Sequence, residues 1–66
     1  MENNNVFDTP VYNLKDYANK KALEDHLEFK INAVVELHAS VWDITNIERK
    51  ITDTTASAKI SMKRKQ

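Results

Sequence analysis

From Leu23 onward apolar side chains recur at helical spacing, with Leu23, Leu27, Val34, Leu37, Val41, Ile44 and Ile51 marking one stripe. That spacing matches the 3.6-residue turn of an α-helix, and neither Gly nor Pro interrupts it. Upstream, "VYNLKDY" carries the marks of a helix start. Asn13 is placed to cap, Asp16 follows three residues later, and Tyr12 with Tyr17 have the spacing of a hydrophobic staple. The pattern predicts one helix over residues 14–51, about 55 Å long at 1.5 Å per residue. "HASVWD" offers a second cap at Ser40, and a break there would fold the same residues into a helical hairpin. The polar, Asn-rich "MENNNVFDTP" ends in the only Pro and reads as a flexible lead-in over 1–12, before a helical oligomerisation segment over 13–51. After Ile51, "TDTTASAK" has weak helix propensity and "ISMKRKQ" is a basic tail, so 52–66 reads as a polar segment.

Written as heptads, Leu27, Val34 and Val41 fall at a while Leu23, Leu37, Ile44 and Ile51 fall at d, the arrangement of a coiled-coil seam. Lys30 at d and Glu48 at a spoil a regular two-stranded coil. Ile31, Val35 and Trp42 widen the stripe, with His38 beside it, and Phe29, Ala33 and Ile47 stand nearly opposite. A helix apolar over most of its circumference belongs among three or more helices, because a dimer would leave Phe29 or Trp42 in water. The expected fold is therefore all-α, an oligomeric helical bundle.

Length changes the picture only by sharpening it. A chain of 66 residues buries only about 60% of its unfolded surface and is marginal alone, and with no Cys it has no disulfide to staple it. Self-association is the remaining remedy. Gly is absent, which removes phosphate-cradling loops, dinucleotide fingerprints and nucleophile elbows, and with them the enzymes built on those devices. The same absence argues against tight β-hairpins, whose favoured turns call for Gly.

Charge is neutral in sum and uneven along the chain. Residues 1–48 carry nine acids against four bases, a balance of −5, and residues 49–66 carry six bases against one acid, a balance of +5. In an elongated molecule such ends favour antiparallel packing, which sets basic beside acidic. The titratable candidates do not converge: His26 and His38 are about 18 Å apart along a helix, and Glu24, Asp25 and Glu28 read as a solvated acidic face. No catalytic, cofactor-binding or metal-ligating residue is expected.

The expected activity is that of a non-enzymatic interaction module, an adaptor, inhibitor or assembly factor that self-associates and binds a protein partner. Its expected interface comprises Leu23, Leu27, Ile31, Val34, Val35, Leu37, His38, Val41, Trp42, Ile44 and Ile51. The rival expectation is a small oligomeric nucleic-acid binder contacting phosphates through Lys59, Lys63, Arg64 and Lys65, which could equally meet an acidic protein. No apolar run is long enough for a membrane span and Glu2 and Asp8 are unlike a signal peptide, so an intracellular, soluble protein without a membrane partner is expected.

Overall fold

The structure, a computed structural model, describes residues 4–65 and is built on a sheet, not on a helical bundle. Strand β1 (Asn4–Asp8) leads to a two-residue strand β2 (Tyr12–Asn13) and a single 3₁₀ turn over Leu14–Asp16. Helix α1 (Lys20–His38) follows, then two ten-residue strands, β3 (Trp42–Ile51) and β4 (Thr55–Arg64). The sheet is antiparallel throughout, with β4 at its centre, β3 along one side, and β1 and β2 in succession along the other. Helix α1 covers one face. The all-α class, the long helix over 14–51, the hairpin variant and the coiled coil are all overturned by this arrangement.

The helix is shorter than expected at both ends. Asn13 makes no side-chain capping bond, and the turn after it is only three residues long; the working cap is Asn19, whose Oδ1 accepts from the Ala22 N–H at 2.8 Å. At the other end the chain turns after His38 into a run of β-branched and aromatic residues, Val41, Trp42, Ile44, Thr45 and Ile47, which fit a pleated surface better than a helix. Leu23, Leu27, Ile31 and Val34 form the buried stripe of α1, and Ala56, Ala58, Ile60 and Met62 answer them from alternate positions of β4. Phe7, Tyr12, Leu14, Tyr17, Val35, Trp42, Ile44 and Ile47 close the rim of this core.

Two irregularities set which side chains reach the core. In β3 the register slips at Thr45, between Ile44 opposite Met62 and Asn46 opposite Ser61. This bulge lets Ile44 and Ile47, three apart in sequence, both face the helix. On the other edge Asp8 opposes Lys59 while Tyr12 opposes Ala56, so one extra residue is accommodated around Pro10. Thr9 holds that interruption together: its N–H donates to the Ala58 carbonyl at 2.9 Å and its Oγ1 accepts from the Ala58 N–H at 2.8 Å. Pro10, with no N–H to donate, follows on the sheet's edge, where it is tolerated.

The hairpin between β3 and β4 is made without Gly. Thr52 N–H donates to the Thr55 carbonyl at 2.9 Å, the Thr55 N–H donates back to Thr52 Oγ1 at 3.0 Å, and no described residue has positive φ. A hydroxyl closes the turn in place of a left-handed residue. The lead-in expected over 1–12 thus contains an edge strand, and the polar segment expected over 52–66 holds the central strand of the sheet.

Candidate functional site

The two faces of the molecule differ sharply in chemistry. Cross-strand partners share a face, so the side of the sheet away from α1 carries Asp8, Lys59 and Glu48 in one row and Asn4, Lys63 and Asp43 in another. Lys65 Nζ reaches Asp43 at 3.9 Å. The charge asymmetry read along the sequence is therefore matched inside one chain, because antiparallel pairing lays the basic β4 between acidic neighbours. A shallow groove of about 410 Å³ runs over this face, lined among others by Asp8, Val11, Glu48, Lys50, Ser57 and Lys59. Its walls alternate in sign.

The outward face of α1 sets two large apolar side chains among polar ones such as Asp25, Asn32 and Glu36. Phe29 is 72% exposed and Leu37 78% exposed, two turns apart on the side turned from the sheet, with Ala33 between them. Both belong to the helix that carries the core, but their side chains lie outside it. Phe29 stood out in the sequence as a residue opposite the stripe; Leu37 did not, because its heptad position counted it into the seam.

Titratable groups are spent on structure. Arg49, on the helix-facing side of β3, donates from Nε and Nη2 to the Glu28 carboxylate at 2.6 and 2.8 Å, tying sheet to helix. The bond from Arg49 pulls the Glu28 carboxyl below the ordinary range against a smaller opposing effect of burial, and it raises Arg49 in return. Lys21 Nζ holds Asp25 at 3.1 Å. His26 packs edge-on to Tyr12, with ring centroids 4.9 Å apart, and lies 5.4 Å from Tyr17; Tyr12 and Tyr17 meet at 6.5 Å. Burial, and then the neighbouring Tyr17, push the Tyr12 hydroxyl upward. His38 Nδ1 donates to the Val34 carbonyl at 2.7 Å and its ring lies 6.2 Å from Phe7. Among the described residues no three His, Cys, Asp or Glu side chains are grouped to hold a metal.

The residues expected to form an interface are dispersed by the fold. Leu23, Leu27, Ile31 and Val34 are buried under the sheet, and Val35, His38, Trp42 and Ile44 are half-buried around them. Leu37, Val41 and Ile51 are exposed, at the helix end, before β3 and at the far end of β3. Lys59 and Lys63 project from the solvated face of the sheet, Arg64 ends β4, and Lys65 lies beyond it. Among the described residues no helix is long and apolar enough to cross a membrane. Sequence reasoning missed the long edge of β3 altogether, since it assigned those residues to a helix; the bulge-corrected alternation of Trp42, Ile44, Ile47, Arg49 and Ile51 is the signal that carries it.

No known protein family matches the chain, and neither a curated protein nor a solved structure is significantly similar to it.

Proposed function

We propose that this protein is a non-enzymatic interaction module that self-associates and docks the outward face of α1 into an apolar groove on a protein partner. The observation that carries this is the pair Phe29 and Leu37, more than two-thirds exposed and two turns apart on one helix face. Helices that enter grooves present anchors three or four residues apart along one face, and Phe29, Ala33 and Leu37 follow one another at intervals of four. Large apolar side chains exposed in register on a small domain mark contact surfaces more often than scattered single ones do. Nucleic acid fits less well, because Lys59 and Lys63 alternate with Asp8, Glu48 and Asp43 on the same face and a phosphate backbone laid there would meet both signs.

The test is photo-cross-linking in the native host, with a photoreactive residue at position 29 and, as control, at Lys20. The expected result is one defined protein adduct at position 29 that disappears when Leu37→Asp is added. Identical adducts at both positions, or adducts indifferent to Leu37→Asp, would overturn the assignment of this face.

A further inference from the structure

The direction of each backbone group along β4 can be followed from its bonds. Ala58 exchanges both of its main-chain groups with Thr9, on the β1 side, and Thr54 accepts from Leu14 on that same side. Lys65 donates to the Val41 carbonyl on the β3 side. Even-numbered residues of β4 thus turn their N–H and C=O toward β1 and β2, and odd-numbered ones toward β3. Lys50 and Glu48, opposite Ser57 and Lys59, are the β3 residues bonded inward. Ile47, Arg49 and Ile51 are left with their N–H and C=O aimed out of the sheet, and among the described residues β3 pairs with nothing but β4.

We infer that this free edge of β3 pairs antiparallel with β3 of a second copy about a two-fold axis at Arg49, joining two sheets into one. The inference rests on the reading that the chain self-associates, and it names where. Its basis is the self-complementarity of charge. With Arg49 opposite Arg49 of the second copy, Ile47 opposes Ile51 and Glu48 opposes Lys50, each pair occurring twice. Sliding the register by two residues one way places Glu48 against Glu48; sliding it the other way places Lys50 against Lys50. Only the Arg49-centred register among these brings opposite charges together on the solvated face while using all three outward-facing residues, for about six main-chain hydrogen bonds.

The axis itself is prepared. Two guanidinium groups facing each other would repel, but each Arg49 already donates two bonds to its own Glu28 and so meets its twin as a neutral pair. On the same face Ile51, 42% exposed in the single chain, gains Ile47 of the second copy as its cross-strand neighbour. A ten-residue edge strand left open is otherwise a liability for unspecific association, and the alternating Glu48 and Lys50 limit which strand it accepts.

Light scattering coupled to size exclusion tests this with two single variants, Lys50→Glu and Glu48→Lys, and their mixture. Wild type is expected at twice the chain mass. Each variant places like charges in both cross-strand pairs, and its dimer dissociation constant is expected to rise at least tenfold. Mixed one to one, the two restore opposite charges in every pair, and the dimer mass is expected to return as a heterodimer. Amide exchange gives a second reading: the N–H groups of Ile47, Arg49 and Ile51 should be protected in wild type and in the mixture, and fast in either variant alone. A wild-type dimer unmoved by both variants but lost on Phe29→Asp would overturn the β3 edge while keeping self-association. A wild type that stays monomeric would overturn both.

Discussion

Glu28 and Arg49 stand on different layers of the molecule and are joined by two hydrogen bonds of 2.6 and 2.8 Å, which tie the helix to the outer strand. Both side chains are nearly half exposed, which holds the pair to about 0.5–1 kcal/mol despite its bidentate geometry. Because the folded Glu28 carboxyl titrates below its unfolded counterpart, the contribution is present above the unfolded value and is lost as pH falls through the folded one. Urea midpoints of wild type and Glu28→Gln should therefore differ near neutral pH and converge in acid. A gap that persists unchanged at low pH would show that the carboxylate is not its source.

Leu27 and Leu37 are equivalent in a heptad seam and opposite in this fold. Leu27→Ala removes a fully buried side chain and should cost about 2–5 kcal/mol, enough to unfold so small a domain at ambient temperature. Leu37→Ala, on a side chain in water, should move the stability of the single chain by less than about 0.5 kcal/mol. Thermal melts at low protein concentration decide it, and equal losses would contradict the exposed placement of Leu37.

Thr9 is 7% exposed, the one buried polar residue among those described, and it satisfies the Ala58 N–H. Thr9→Val keeps the shape and strands that donor, for an expected loss of about 1–3 kcal/mol. Thr9→Ser keeps the acceptor and should recover most of it. Denaturant unfolding of the two side by side checks the hydrogen bond, and equal losses would assign the effect to packing instead.

The turn at Thr52 gives a fourth test. Thr52→Val removes the hydroxyl that accepts from the Thr55 N–H, and the expected cost is about 0.5–1.5 kcal/mol, with faster amide exchange at Thr55. Unchanged exchange there would mean that the bond from the Thr52 N–H to the Thr55 carbonyl suffices to close the turn.

How far the sequence discloses this fold depends on which signal each element sends. The stripe Leu23, Leu27, Ile31, Val34 is legible and correctly marks a helix, because four long aliphatic residues at helical spacing have no competing pattern. The predicted helix extends too far downstream because the bulge at Thr45 puts Ile44 and Ile51, seven residues apart, on one face of the strand and so imitates a heptad spacing. In β4 the alternation of Ala56, Ala58, Ile60 and Met62 with Ser57, Lys59, Ser61 and Lys63 is regular, but two of its four inward residues are Ala, and their weak hydropathy hides a strand that is buried on its inner face. The absence of Gly pointed away from hairpins, and Thr52 shows why that inference fails: a hydroxyl that closes the turn leaves every φ negative. Of the candidate site, Phe29 was visible as an apolar residue off the stripe, whereas the free edge of β3 is a property of strand pairing and has no counterpart in a helical reading.

Placing β4 at the centre of the sheet also orders events in time. Every strand pairs with residues 55–64: β3 reaches β4 through a short hairpin, whereas β1 joins Asn4 to Lys63 across nearly the whole described chain and can add only once β4 is made. Pairings of that span slow folding for a chain of this size. On the ribosome, residues up to 54 can emerge and form α1, but its buried stripe has no surface to settle on until β4 follows. Translation therefore exposes Leu23, Leu27, Ile31 and Val34 to solvent or to a chaperone for the interval it takes to synthesise that one strand.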